Sequence, residues 1–241
     1  MSCFCACISG TSQEPQHFIE VVEQLRKSIG DGESADARER TKTFVITGAN
    51  SGIGKVCTQV LSKFGCSVIM LCRREEAARV VIDEITQDKD GGKAPTFVQC
   101  DMCDLASVET AAKEVSKQLA GAGGLDGLLL NAGVLGGDLK TTKDGLDRVL
   151  QTNFVAHVLL TRRLWSLLEE NANAGGDPRL VSSTSITRFQ DTLGMVNPAR
   201  IVLEEGYFKP CSEVTGLCRG NGPQSETARY AQTKASSSLL L

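Results

Sequence analysis

From Thr43 onward the chain alternates between short apolar runs and longer segments whose apolar residues recur every three or four positions. The runs are Phe44–Ile46, Val68–Leu71, Phe97–Cys100, Leu128–Leu130 and Leu180–Ser183. Continuous runs of this kind predict strands buried on both faces, as in a parallel sheet. Between them Ile53, Cys57, Val60 and Phe64 form one helical stripe, and Val108, Ala112, Val115 and Leu119 form another. Strand alternating with helix predicts βαβ units and an α/β fold, a doubly wound, mostly parallel sheet in three layers. Gly-Gly pairs at 91–92, 123–124, 136–137 and 175–176 punctuate the connections.

Residues 1–41 read as an extension ahead of a domain covering 42–241. Phe18, Val22, Leu25 and Ile29 recur at helical spacing with Glu20, Glu23, Arg26 and Lys27 between them, which predicts an amphipathic helix ended by Gly30. Such a helix is suited to packing on the parent domain or a partner. The length of 241 residues suffices for one domain with a substantial core. A net charge of −3 gives no reason to expect nucleic acid as a partner. The sequence has no apolar run of about 18 residues, so no transmembrane segment is expected. Ten cysteines is a high count, yet Cys57, Cys66, Cys72, Cys100 and Cys103 fall in or beside apolar patterns, where free thiols pack as small hydrophobes. No secretory signal precedes them, and a reducing, cytoplasmic setting is expected. Cys3, Cys5 and Cys7 sit too close together for a metal site without other ligands.

The first run leads straight into Thr47-Gly48-Ala49-Asn50-Ser51-Gly52-Ile53-Gly54, and a helical pattern follows. Glycines permit a tight turn and close approach of a pyrophosphate, and a helix N-terminus presents unpaired N–H groups to it. This Thr-Gly-x-x-x-Gly-x-Gly stretch resembles the glycine motif of the short-chain dehydrogenase/reductase superfamily. The likeness covers about residues 42–241 and implies a Rossmann-type fold. It also implies a nicotinamide cofactor contacting Gly48, Asn50, Ser51, Gly52, Ile53 and Gly54. Asp101 and Met102 resemble the segment beside the adenine. Leu130-Asn131-Ala132-Gly133 resembles Asn-Asn-Ala-Gly with its first asparagine replaced, so Asn131, Ala132 and Gly133 are expected to border the cofactor. After the second run, Cys72 stands where an NAD-preferring site places a carboxylate, and Arg73 and Arg74 follow. A carboxylate repels a 2′-phosphate whereas arginine binds it bidentately, which points to NADP(H) with Arg73 the contact.

Tyr230-Ala231-Gln232-Thr233-Lys234 puts a phenol and an ammonium on one helix face. A nearby positive charge favours phenolate and brings the tyrosine toward working pH. The resemblance makes Tyr230 the proton donor. Lys234 becomes its partner on the cofactor ribose, Ser185 the residue that orients the substrate oxygen, and Asn153 the helix asparagine supporting a proton-relaying water. Ser183 and Thr184 are neighbours easily mistaken for Ser185, and His157 reads as a packing residue. The implied activity is hydride transfer to a carbonyl or polarised double bond of a small, hydrophobic substrate.

The stretch from Ser185 to Tyr230 is longer than in most members, implying an insertion at about 188–228. Ser185-Ile186-Thr187 and Thr192-Leu193-Gly194 resemble light-dependent protochlorophyllide reductases, whereas the glycine motif, Cys72-Arg73 and Asn131 equally resemble retinol dehydrogenases. The family continues past the position of Lys234 for two more strands. The resemblance therefore implies a fold lacking its last strands, a truncated chain of low turnover, and a homo-oligomer or completing chain as partner. A catalytically inactive nucleotide-binding protein is the alternative reading.

Overall fold

The computed structural model describes residues 40–88, 92–135 and 141–185, together with 230, 233 and 234. The expected amphipathic helix before Gly30 and the expected insertion at about 188–228 lie outside them. Five strands form one sheet in the order β3-β2-β1-β4-β5. They are β1 (Thr43–Thr47), β2 (Ser67–Cys72), β3 (Thr96–Gln99), β4 (Gly127–Leu130) and β5 (Arg179–Ser182). Every neighbouring pair is parallel, with Thr47 opposite Leu71 and Leu130 opposite Ser182. The helices between them are α1 (Gly52–Lys63), α2 (Glu75–Gln87) and α3 (Leu105–Gln118). A fourth, α4, starts at Arg148–Leu150, widens into a π-helical turn over Gln151–Val155 and continues as Ala156–Asn173.

The inner strands β1, β2 and β4 are largely buried on both faces. The edge strands β3 and β5, also expected to be buried on both faces, are partly exposed, Val181 by 50%, because each has a neighbouring strand on one side alone among the described residues. Alternate residues point to opposite faces. Val45, Ile69, Leu71, Val98 and Leu128 meet Val108, Ala112 and Val115 of α3 and Leu160 and Leu164 of α4. On the other face Ile46, Val68, Met70 and Cys72 meet Ala78, Val81 and Ile85 of α2. The α3 stripe expected from the sequence is buried in full: Val108, Ala112, Val115 and Leu119.

The α1 stripe needs correction. Ile53 is 57% exposed and Phe64 38%, while Gly54, Thr58 and Ser62 face inward. The helix is rotated because its first turn lies directly on the glycine turn. A β-carbon on Gly54 would stand 2.3 Å from the Gly48 carbonyl oxygen and 2.5 Å from Asn131 Nδ2. Only small residues fit there, so packing overrides the apolar spacing.

The strand order reverses between β1 and β4, which opens a crevice at the carboxyl ends of the strands, where ligands bind in open α/β sheets. At the opposite end the chain is tied down by Asp126. Its carboxylate accepts two hydrogen bonds from the Arg40 guanidinium (2.8 and 2.9 Å), one from the Thr43 N–H (2.7 Å) and one from Asn171 Nδ2 (2.9 Å).

Candidate active site

β1 ends in Thr47, and the chain turns through Gly48 at φ +64°, a left-handed conformation that other residues rarely adopt. Space matters at Gly48 as well, since a β-carbon would lie 3.0 Å from Ala132 Cα. The Gly48 N–H donates to the Leu71 carbonyl at 2.9 Å, holding the turn to β2. Ser51 caps α1 in extended conformation without a side-chain hydrogen bond to the helix, and no acidic residue occupies the first turn. The turn and helix start therefore offer backbone amides and a positive dipole end with no carboxylate opposing an anion.

Cys72 ends β2 at 2% exposure. Burial pushes its thiol up to about 11, against the backbone amides of Ala49 and Asn50, which lie on it and pull the other way. The thiol thus backs the glycine turn as a neutral group. Arg73, the next residue, is exposed. Past β3, Asp101 Oδ1 accepts the Cys103 N–H at 2.9 Å. The Met102 side chain is buried in the core beside Cys100, so only its backbone is available to a ligand.

Asn131 follows β4 and binds back to β1. Its Nδ2 donates to the carbonyls of Thr47 (3.0 Å) and Gly48 (3.4 Å), and its Oδ1 accepts from Ser183 Oγ at 3.3 Å. Leu130, where the family has its first asparagine, is buried in the core. Asn153 lies in the π turn of α4 and is 1% exposed. Its Oδ1 accepts the Val134 N–H at 2.8 Å, while Nδ2 donates to the Val134 carbonyl (3.0 Å) and to Thr233 Oγ1 (3.0 Å). The turn is fixed from outside by Gln151, whose Oε1 accepts from Thr142 Oγ1 at 2.5 Å and whose Nε2 donates to Asp144 at 2.7 Å.

Lys234 is 5% exposed, and its Nζ donates to the Ser183 carbonyl at 2.7 Å. Burial holds its ammonium below the usual lysine range. The same Nζ is 5.6 Å from the centroid of the Tyr230 ring. A β-carbon on Gly133 would lie 3.4 Å from Asn153 Oδ1 and 3.6 Å from Lys234 Nζ. Of the residues singled out from sequence, Asn131, Gly133, Asn153, Tyr230 and Lys234 thus converge on one small space beside the glycine turn. Ser185 lies half-buried, three residues past the end of β5. Two residues of the site were not singled out, Thr47 and Thr233, and Ser183 was noted only as a neighbour of Ser185. Thr233 carried a signal, being a hydroxyl inside the Tyr-x-x-Thr-Lys segment; its Oγ1 also donates to the Tyr230 carbonyl at 2.8 Å. No group of residues suited to a metal ion occurs among the described residues.

A doubly wound parallel sheet with a glycine turn at its switch point defines a nucleotide-binding α/β fold. The family model for short chain dehydrogenase matches residues 42–195, and the chain belongs to that family of oxidoreductases. It is 32% identical over 164 residues to retinol dehydrogenase 11 of Homo sapiens, covering 68% of this chain and 49% of that protein. Among solved structures it resembles a short-chain dehydrogenase from Escherichia coli CFT073 complexed with NADPH. That match has a TM-score of 0.56 at 23% identity and covers 83% of this chain and 69% of the other. It equally resembles the NADH-dependent reductase A1-R′ complexed with NAD (TM-score 0.56, 20% identity, 81% and 68% covered). The chain spans between about a third and a half of the length of the curated relatives it matches. Among the described residues no helix is long and apolar enough to cross a membrane.

Proposed function

We propose that the protein is an NADPH-dependent reductase acting on the carbonyl, or a polarised double bond, of a small hydrophobic substrate. The observation that carries this reading is the convergence of Asn153, Tyr230 and Lys234 on the space beside Gly133, next to a glycine turn that side chains would block. The residues present fit a dinucleotide: the glycine turn and the start of α1 for the pyrophosphate, Asn131–Gly133 for the nicotinamide side, and exposed Arg73 for a 2′-phosphate. Relatives named for retinol and a fold neighbour crystallised with NADPH support the assignment, while another neighbour bound to NAD leaves cofactor preference to Arg73.

A nicotinamide bound there supplies the hydride. Tyr230 holds the proton that the substrate oxygen receives. Lys234, whose charge is held in a buried setting by the Ser183 carbonyl, favours the phenolate that remains. Ser185 orients the substrate oxygen. Asn153 keeps the helix bearing Tyr230 and Lys234 in register through Thr233. The test is NADPH oxidation with hydrophobic aldehydes, retinal among them. Tyr230→Phe is expected to abolish turnover while leaving NADPH affinity within about twofold, since only a hydroxyl is removed, and Lys234→Ala to damage both. Turnover surviving in Tyr230→Phe refutes the role assignment.

A further inference from the structure

The imidazole of His157 is 3% exposed and takes no part in the reaction proposed above. Its Nδ1 lies 3.1 Å from the Asn153 carbonyl oxygen, and its Nε2 lies 3.0 Å from Thr47 Oγ1. A carbonyl only accepts, so Nδ1 carries a proton. Burial, with repulsion from the Lys234 ammonium, outweighs the Asn153 carbonyl and pushes the ring down to about 4. A neutral ring has one N–H, so Nε2 is the acceptor and the Thr47 hydroxyl the donor, facing Nε2 at 3.0 Å and the Leu129 carbonyl oxygen, a second acceptor, at 3.3 Å. That hydroxyl oxygen in turn accepts the N–H groups of Asn131 and Ala132, each at 2.9 Å. The bonds therefore run in one direction, from the Asn131 and Ala132 amides through Thr47 and His157 to Asn153, and each polarises the next. One end of this chain borders the glycine turn. The other is the π turn whose asparagine grips Thr233, between Tyr230 and Lys234.

We propose that His157 is a positioning residue that couples occupancy of the nucleotide cradle to the placement of Asn153, an inference that rests on the cofactor reading above. Neutral Nδ1–H is the working tautomer. Losing it breaks the link between the Asn153 carbonyl and the Thr47 hydroxyl and leaves Thr47 to the Leu129 carbonyl, which lets the catalytic turn drift from the cradle.

The test uses the 241-residue chain labelled with ¹⁵N, which has only two histidines, His17 and His157. Long-range ¹H–¹⁵N spectra identify the tautomer, and His157→Asn assigns the signal by its loss. We expect a non-titrating Nδ1–H ring between about pH 5 and 8, whose two nitrogens shift on adding NADPH in step with calorimetric saturation. His157→Asn keeps a donor on the γ-carbon facing the Asn153 carbonyl and should hold kcat within about threefold, whereas His157→Leu should lower it by about tenfold or more. An Nε2–H tautomer, or NADPH binding with unmoved ring nitrogens, overturns the coupling alone. Absence of NADPH binding overturns the cofactor reading and the coupling with it. Should His157→Leu fail to fold, the spectra of the unmutated chain still decide.

Discussion

Replacing Gly54 by alanine tests the closest approach in the cradle. The added β-carbon would stand 2.3 Å from the Gly48 carbonyl oxygen, 2.5 Å from Asn131 Nδ2 and 3.0 Å from the Gly48 carbonyl carbon. Carbon and oxygen settle no closer than about 3.3 Å, so α1 and the glycine turn must separate by roughly 1 Å. Two of the three obstructing atoms are backbone, so no rotamer change relieves the clash. Overpacking of this kind costs about 1–3 kcal/mol, and the helix propensity gained by alanine returns at most about 1 kcal/mol, less in a first turn. At about 2–4 °C per kcal/mol for a chain of this size, Tm should fall by several degrees. Cofactor affinity should suffer more. A turn displaced by about 1 Å loses one or two charge-assisted hydrogen bonds to phosphate, roughly 10–100-fold in Kd. Gly52→Ala is the control. It carries φ +51° but nothing within 4 Å of the added carbon, so it incurs only about 1–2 kcal/mol of backbone strain. Calorimetric Kd for NADPH and thermal unfolding measure both variants. Gly54→Ala with wild-type Tm and wild-type affinity, or Gly52→Ala as damaging to NADPH affinity as Gly54→Ala, refutes the reasoning.

Arg73→Ala should remove most of a preference of about tenfold or more for NADPH over NADH, seen as converging calorimetric Kd values; equal affinities in the unmutated chain would sink the assignment. Asp126→Ala removes the carboxylate shared by Arg40, the Thr43 N–H and Asn171 Nδ2 and should cost about 2–4 kcal/mol in urea unfolding, with NADPH affinity of the folded protein unchanged. His157, pushed down to about 4 from 6.5, stays neutral in the fold while the unfolded chain takes up a proton. Its stabilising contribution is therefore present above about pH 6.5 and is lost as pH falls toward 4, by about 2 kcal/mol at pH 5. The unmutated chain should lose that much more urea stability between pH 7 and pH 5 than His157→Asn, and parallel slopes would contradict it.

The inner strands were legible because parallel sheets bury both faces, and their apolar runs announce this without needing periodicity, whereas the edge strands β3 and β5 are more polar and more exposed than that rule expects. The α3 stripe was legible for the same reason: α3 packs on the sheet through ordinary apolar side chains. The α1 stripe misled because the face of α1 toward the sheet is chosen by space. Gly54, Thr58 and Ser62 carry little apolar signal, whereas exposed Ile53 and Phe64 carry a strong one. In the site, residues whose chemistry is distinctive stood out, as Tyr230 and Lys234 do at helical spacing. The supports did not. Thr47, Thr233 and Gln151 act through hydrogen bonds to groups distant in the chain, and nothing local marks a threonine as the acceptor of two amides from the end of β4. His157 was read correctly as packed within its helix. Its partners were invisible, because the Asn153 carbonyl it reaches belongs to a π turn that no simple spacing predicts.

The two ends of the sheet have different energetic characters, and the difference follows from what each end is built to hold. At the amino ends of the strands, Asp126 gathers four hydrogen bonds, from the start of β1, from Arg40 three residues before it and from the end of α4. Loss of any one partner leaves the others in place. At the carboxyl ends the fold accumulates unfavourable features: a π turn, a buried ammonium at Lys234 and a histidine held neutral beside it. Each is tolerated only because neighbours over-determine it, as expected where strain accompanies function. The carboxyl end is accordingly the end whose geometry a bound dinucleotide can tighten, since its phosphates meet amides that the protein leaves unopposed. A ligand that binds there stabilises the fold by mass action through the least self-sufficient part of the sheet. Under the coupling proposed for His157, cofactor binding and the alignment of Asn153, Tyr230 and Lys234 are one event rather than two.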